Sequence, residues 1–172
     1  IGSIAASGSG YLTTPTVTVS APTYPTTGTT ATAIVAGENA AKGGNINAKY
    51  ISRRVSLEDG FDASDLKIIV NAYKPLGTNV HVYYKVKHVD DPEDFDTKTY
   101  TLMVQETPIG EVSKAEADVK EFTFKTSDDI ITYTSNNVTY DLFKYFSVKV
   151  ALTSNNASVI PKVRDMRAIA VD

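Results

Sequence analysis

The stretch Asn79-Val80-His81-Val82-Tyr83-Tyr84-Lys85-Val86 decides the fold class. Successive side chains on a β-strand point to opposite faces, so a strand with one face in a core alternates with period two. Val80, Val82, Tyr84 and Val86 share one face, and His81, Tyr83 and Lys85 share the other. The same alternation precedes it in Leu66-Lys-Ile-Ile-Val-Asn-Ala72, with Leu66, Ile68, Val70 and Ala72 inward. Between the two lies Lys74-Pro75-Leu76-Gly77-Thr78, with Pro at the second and Gly at the fourth position of a β-turn, so a hairpin is expected. Far downstream, Tyr145-Phe-Ser-Val-Lys-Val-Ala-Leu152 puts Phe146, Val148, Val150 and Leu152 inward, with Ser147 and Lys149 outward.

Weaker strand signals fill the intervals. Lys49–Leu57 places Ile51, Val55 and Leu57 on one side, with Arg53 breaking the parity. Tyr100–Gln105, Lys120–Lys125 and Ile130–Tyr133 read as strands, and Val163–Val171 closes the sheet. Ser113-Lys-Ala-Glu116 has the spacing of a helix capping box, so a helical turn is expected to follow through Val119. Strands joined by polar turns, with no long helix, define an all-β antiparallel sandwich. The long Asp90–Lys98 and Gly110–Lys120 connections suit strands that cross between sheets, as in a jelly roll.

Charge divides the chain. From Ile1 to Gly37 there is no charged residue, and Glu38 is the first. Within this part Thr16–Ser20 and Thr30–Ala36 read as short strands, joined by the turn-rich Ala21–Gly28 and entered through a turn at Gly8–Tyr11. The expected organisation is a β-rich attachment segment at 1–37, a linker at 38–47 carrying Gly43-Gly44, and a sandwich domain at 48–172. Because the sequence opens on Ile1, the first segment is expected to be the end of a longer upstream region. A segment this short rarely folds alone without disulfides or metals, and the chain has no Cys. Its expected role is to pair with another chain.

Composition narrows the function. The 172 residues carry 17 Lys and Arg against 20 Asp and Glu, a net charge of −3, so no nucleic-acid partner is expected. Zero Cys excludes thiolate catalysis, disulfides and Cys-ligated metals, and two His leave little room for a His-dependent triad. No apolar run approaches the roughly 20 residues of a membrane span, so no membrane partner is expected.

Four groups of residues are candidates for chemistry. Asp90-Asp91-Pro92-Glu93-Asp94-Phe95-Asp96 offers the oxygens a hard cation wants, but lacks the glycine and terminal Glu of an EF-hand; the plainer reading is a solvated loop. His81 and His88 have opposite parities and cannot share a metal; His81 reads as solvent-facing and His88 as a rim residue. Tyr73 and Tyr83 flank the Pro75 turn and could stack on sugar rings, though cross-strand packing explains them as well. Asn137-Val-Thr139 and Asn156-Ala-Ser158 fit the glycosylation pattern, which also arises by chance. No catalytic, cofactor-binding or metal residue is assigned, and no enzyme or cofactor is expected.

Several phrases resemble a sandwich module of structural proteins in tailed bacteriophages with contractile tails, marine and cyanobacterial ones above all. They are Lys49–Asp62, Asn71–Val86, the loop around Phe95, Tyr145–Asn155 and Pro161–Ala170. Gly8–Val19 is similar to a short β-motif of phage tail and fibre proteins. The resemblance implies a virion component of the tail, baseplate, fibre or neck that assembles with other virion proteins and with itself, a trimer being the first candidate. The alternative is a glycan-binding module contacting the host surface.

Overall fold

The computed structural model describes residues 37–107, 110–128 and 130–172. The strands expected at Thr16–Ser20 and Thr30–Ala36, and the turn at Gly8–Tyr11, lie outside the described residues. The strands, in chain order, are β1 (Lys49–Ile51), β2 (Val55–Ser56), β3 (Asp65–Tyr73), β4 (Thr78–Lys87), β5 (Thr101–Leu102), β6 (Val104–Thr107), β7 (Lys120–Lys125), β8 (Tyr133–Ser135), β9 (Val138–Tyr140), β10 (Tyr145–Ser154) and β11 (Lys162–Val171). Among the described residues one 3-10 turn, Phe95–Thr97, lies between β4 and β5. One sheet runs β1-β10-β4-β5, with β2 also on β10; the second runs β11-β3-β7-β6; β8 and β9 form a separate hairpin. All pairings are antiparallel. The fold is an all-β sandwich.

The period-two reading locates its core. Leu66, Ile68, Val70 and Ala72 of β3 pack in one cluster with Val80, Val82, Tyr84 and Val86 of β4 and with Phe146, Val148 and Val150 of β10. Phe122 and Phe124 of β7 complete it from the second sheet. Apolar burial of this kind contributes about 25 cal/mol per Å² removed from water and is the main favourable term in folding.

The chain departs from expectation in four places. First, β3 and β4 are not a hairpin: β3 pairs with β11 and β7, and β4 with β10 and β5. The Pro75 turn carries the chain from one sheet to the other. Both arrangements send residues of the same parity into the core, so alternation cannot separate them. The turn is held by Thr78 N–H donating to Pro75 O (3.1 Å) and Asn155 N–H donating to Gly77 O (3.0 Å). Gly77 has φ +81°, and a Cβ there would lie 2.3 Å from Asn155 Oδ1, so the position needs glycine.

Second, the single strand expected at Tyr100–Gln105 is divided between the sheets. β5 pairs with β4 and β6 with β7; the change of sheet falls at buried Met103, whose N–H donates to Val82 O (2.8 Å). Third, no helix follows Ser113. The Ser113 hydroxyl is buried and directed to Lys74 N–H, which it accepts (2.9 Å); Ala115–Asp118 is only a turn. Fourth, the Lys49–Leu57 strand is interrupted at Ser52–Arg54, where Arg53 broke the parity, and both halves lie on β10. The β8–β9 hairpin turns on Asn136 and Asn137, at φ 49° and 64°, the left-handed pair that a two-residue type I′ turn requires.

The two outer faces are unlike. That of the β11-β3-β7-β6 sheet meets solvent, laced by surface ion pairs such as Lys162–Glu116 (2.6 Å) and Arg167–Glu121. That of the other sheet is covered: Tyr83, Lys85, Ser147, Lys149 and Ala151 are all buried. The outward residues of β4 and β10 therefore do not face water as their parity suggested. The covers are residues 37–47, expected as a linker, and the 88–100 connection, expected as a solvated loop. Glu38, Asp91, Phe95 and Tyr100, from these covers, are each at most 4% exposed.

Val148 is 1% exposed at the centre of the core. Val148→Asp is expected to cost several kcal/mol by leaving a charge among apolar groups. Urea denaturation followed by circular dichroism checks this; an unchanged midpoint would refute the core assignment.

Candidate functional site

The chemistry-bearing side chains gather on the covered face of the β1-β10-β4-β5 sheet. At its centre is Lys149 of β10, fully buried. Its Nζ donates to Glu38 Oε2 (3.1 Å), to Gly43 O (3.2 Å) and to Glu38 O. Three oxygens for three N–H groups saturate the ammonium. It also sits over the Tyr83 ring at 4.0 Å and the Tyr100 ring at 5.2 Å, where the ring quadrupoles favour a cation. The second oxygen of Glu38 accepts Asn45 N–H (2.7 Å) and Ile46 N–H (2.8 Å), closing the loop on itself. Gly44, at φ +73°, lies so close that a Cβ would come within 2.6 Å of Glu38 Cα. Burial works against the Glu38 carboxylate; the Ile46 N–H, the Lys149 ammonium and the Asn45 N–H outweigh it and hold its pKa below the usual carboxylate range.

A hydroxyl chain adjoins this pair. Tyr100 Oη lies 3.1 Å from Ser147 Oγ, and Ser147 Oγ donates to Ser52 O (3.1 Å). Tyr100 N–H donates to Asn39 O (2.8 Å), tying one cover to the other. Burial pushes the Tyr83 and Tyr100 phenols above their ordinary values.

A second ion cluster secures the 88–100 connection. Asp91 pairs with Lys98 Nζ (2.6 Å) and accepts Tyr133 Oη (2.9 Å), Ser135 Oγ (2.9 Å) and Glu93 N–H (3.0 Å). Burial raises its pKa, but the Lys98 ammonium, the Glu93 N–H and the Ser135 and Tyr133 hydroxyls bring it down to about 2. The other carboxylates diverge. Glu93 also pairs with Lys98 (2.8 Å), Asp94 accepts Asp96 N–H (3.1 Å) at the start of the 3-10 turn, and Asp90 projects outward. Among the described residues no three His, Asp or Glu side chains gather as a metal centre would need.

The remaining sequence candidates are dispersed. His81 is half-buried, its Nε2 3.2 Å from Thr153 Oγ1, and burial lowers its pKa; it is not solvent-facing, because the 37–47 cover lies on its face. His88 stacks on Tyr140 at 4.9 Å, and its Nδ1 accepts Asp90 N–H (3.0 Å). Tyr73 and Tyr83 stand in different sheets, and Tyr83 is 2% exposed, so they do not border one groove. Asn137 and Asn156 are exposed at turns.

The sequence reading missed Glu38, Lys85 and Lys149. A signal existed in β10: the outward neighbours of Lys149 are Ser147 and Ala151, small residues that leave room for a covering chain. No protein-family model, no curated protein and no solved structure matches this chain.

Two outcomes follow. Asp91, fully buried, has a folded pKa of about 2 against an ordinary 3.8, so the folded state favours its charged form. Its contribution is present above pH ~4 and is lost as pH falls through about 2, roughly 2 kcal/mol at 1.36 kcal/mol per unit. Asp91→Asn should flatten the acid limb of stability against pH in that window; an unchanged slope would contradict the assignment. For the buried pair, Glu38→Gln and Lys149→Met should each cost about 3–5 kcal/mol, and the double variant clearly less than their sum. A urea double-mutant cycle with additive costs would refute the coupling.

Proposed function

We propose that the chain is a non-enzymatic structural module of a tailed-bacteriophage virion, of its tail, baseplate or fibre, acting by assembly with other virion proteins and with copies of itself. The observation that carries the assembly reading is the open side of the sandwich. Between the edges of β1 and β11 a cleft of about 280 Å³ reaches the core, lined by Tyr50, Val150, Leu152, Val163 and Met166. An adjoining cleft of about 330 Å³ runs over Ala157, Val159, Ile160 and Pro161. Tyr50 is 58% and Ile160 62% exposed, a joined apolar surface that a monomer gains little by showing to water. Among the described residues β11 pairs only with β3 and β1 only with β10, so each has an edge of unpaired backbone groups.

The proposed occupant is residues 1–36 of a neighbouring copy. That segment has no charge, carries the alternating Thr16–Ser20 and Thr30–Ala36 stretches, and suits an apolar cleft where a charged strand would not. The virion reading rests on the phrases given above, Lys49–Asp62 and Asn71–Val86 foremost. The non-catalytic reading rests on composition, two histidines and no cysteine in 172 residues. The glycan-binding alternative loses the Tyr73 and Tyr83 pair on which it was based.

Sedimentation of the full chain is expected to show an oligomer, with Tyr50→Lys and, separately, Val17→Lys with Val19→Lys shifting it to monomer while the far-ultraviolet spectrum stays unchanged. A wild-type chain that stays monomeric at high concentration would overturn the self-assembly reading. Peptide mass spectrometry of purified particles tests the virion assignment, and absence from them would overturn it.

A further inference from the structure

Besides Lys149, three lysines are buried, and their ammonium groups are treated differently. Lys74 donates to Glu111 O (3.2 Å), and Lys144 pairs with Asp59. Lys85 is 6% exposed, and its Nζ makes no hydrogen bond or ion pair among the described residues. Its close neighbours are ring faces, Phe95 at 4.6 Å and Tyr100 at 5.1 Å. A buried ammonium costs several kcal/mol of lost hydration unless an oxygen replaces the water. Burial accordingly lowers the Lys85 pKa, and Asp96 and Asp94 oppose that only from beyond contact.

The space beside it fits the missing partner. Lys85, Phe95 and Tyr100 line a cleft of about 460 Å³ between the 37–47 cover and the 3-10 turn. Lys42 and Arg54 stand on the same cleft, and neither makes an ion pair among the described residues. Against these three cations there is one carboxylate, Asp96, so the walls carry 3 − 1 = +2 on a chain of net charge −3. A concave, partly dry surface of one sign concentrates the opposite ion. Ser52 and Ser147 also line the cleft, but their hydroxyl protons go to Arg53 O and Ser52 O, which leaves anion recognition to the cations.

We propose that this cleft binds an oxyanion, a carboxylate, sulfate or phosphate, with Lys85 as its buried cation and Arg54 as its forked partner at the mouth. Guanidinium geometry matches such groups bidentately. The cleft is several times larger than one oxyanion, so it has room for a free ion with water or for an acid group carried on a larger polar molecule such as a saccharide. The site is independent of the assembly reading: it lies on the covered face, away from the open side.

The test is calorimetric titration of the full chain with sodium phosphate, sodium sulfate and glucuronate, with glucose as the neutral control, at constant ionic strength. Saturable binding of one anion per chain is expected, with no heat from glucose. Tighter glucuronate binding identifies an acidic saccharide; phosphate or sulfate binding at least as tightly identifies a free ion. Lys85→Met, similar in length and without the unpaired charge, should keep or raise the melting temperature of the unliganded chain and weaken binding about tenfold or more, the loss of one charge-assisted hydrogen bond. Arg54→Gln, at an exposed position, should weaken it with the fold intact and decides the matter if Lys85→Met does not fold. No saturable binding of any anion, or folded variants that bind as the wild type does, would overturn the proposal.

Discussion

The ammonium of Lys149 is the constraint from which the covered face follows. Its parity on β10 sends it away from the core, and an ammonium so placed either reaches water or is satisfied by the chain. Here the chain folds over it. Glu38 supplies a carboxylate oxygen and a carbonyl, Gly43 a second carbonyl, and the loop can turn tightly enough only with Gly43 and Gly44 at positive φ. Once that loop is down, Asn39 O accepts Tyr100 N–H, which fixes the end of the 88–100 connection. Ile46 packs against Tyr83, Tyr100 and Ala151, making a second, smaller apolar cluster on this side of the sheet. A buried ion pair roughly breaks even against an apolar replacement. Its value here lies in selecting which segment covers the sheet and in what register.

The contrast with the other sheet supports this account. β3 alternates strictly between buried inner and half-buried outer residues, as a strand with one solvated face should. β10 is buried on both faces through most of its length. Both carry lysine at outward positions, Lys67 on β3 and Lys149 on β10. Lys67 reaches Glu106 at 3.6 Å in solvent, where such a pair is worth little. The same residue type is a solvated surface group in one sheet and a structural centre in the other, and the difference is made by segments distant in sequence.

That distance explains what could be read from the sequence. The inner faces of β3, β4 and β10 were legible because core burial imposes period two locally. Pairing was not: the Pro75 turn serves a hairpin and a crossing between sheets equally well, and nothing in Tyr100–Gln105 marks the change of sheet at Met103. The charge boundary at Glu38 resembled a domain boundary, yet that first charge is buried under its own loop. The acidic run at Asp90–Asp96 was visible as a cluster, but the partners that fix Asp91, Tyr133 and Ser135, lie more than forty residues downstream in a hairpin the pattern did not announce. His81 and His88 have separate partners, Thr153 Oγ1 for the first and the Tyr140 ring for the second.

β1 relates the two clefts on opposite faces of its sheet. Tyr50 is the register partner of Val150, an inner residue, and Ile51 that of Lys149, an outer one. Alternation therefore puts Tyr50 on the apolar cleft of the open side and Ile51 on the cationic cleft of the covered side. The two clefts differ in kind, one lined mainly by apolar side chains and the other carrying Lys42, Arg54 and Lys85. On the covered face Tyr100 lies between the two ammonium groups, 5.2 Å from that of Lys149 and 5.1 Å from that of Lys85. Ring faces attract both cations, but only oxygens replace their hydration, and the described residues supply oxygens to one of them. A strand laid along the free edge of β1 would bury the apolar deficit and leave the ionic one untouched, because the alternation that separates Tyr50 from Ile51 also separates the partners each face can take.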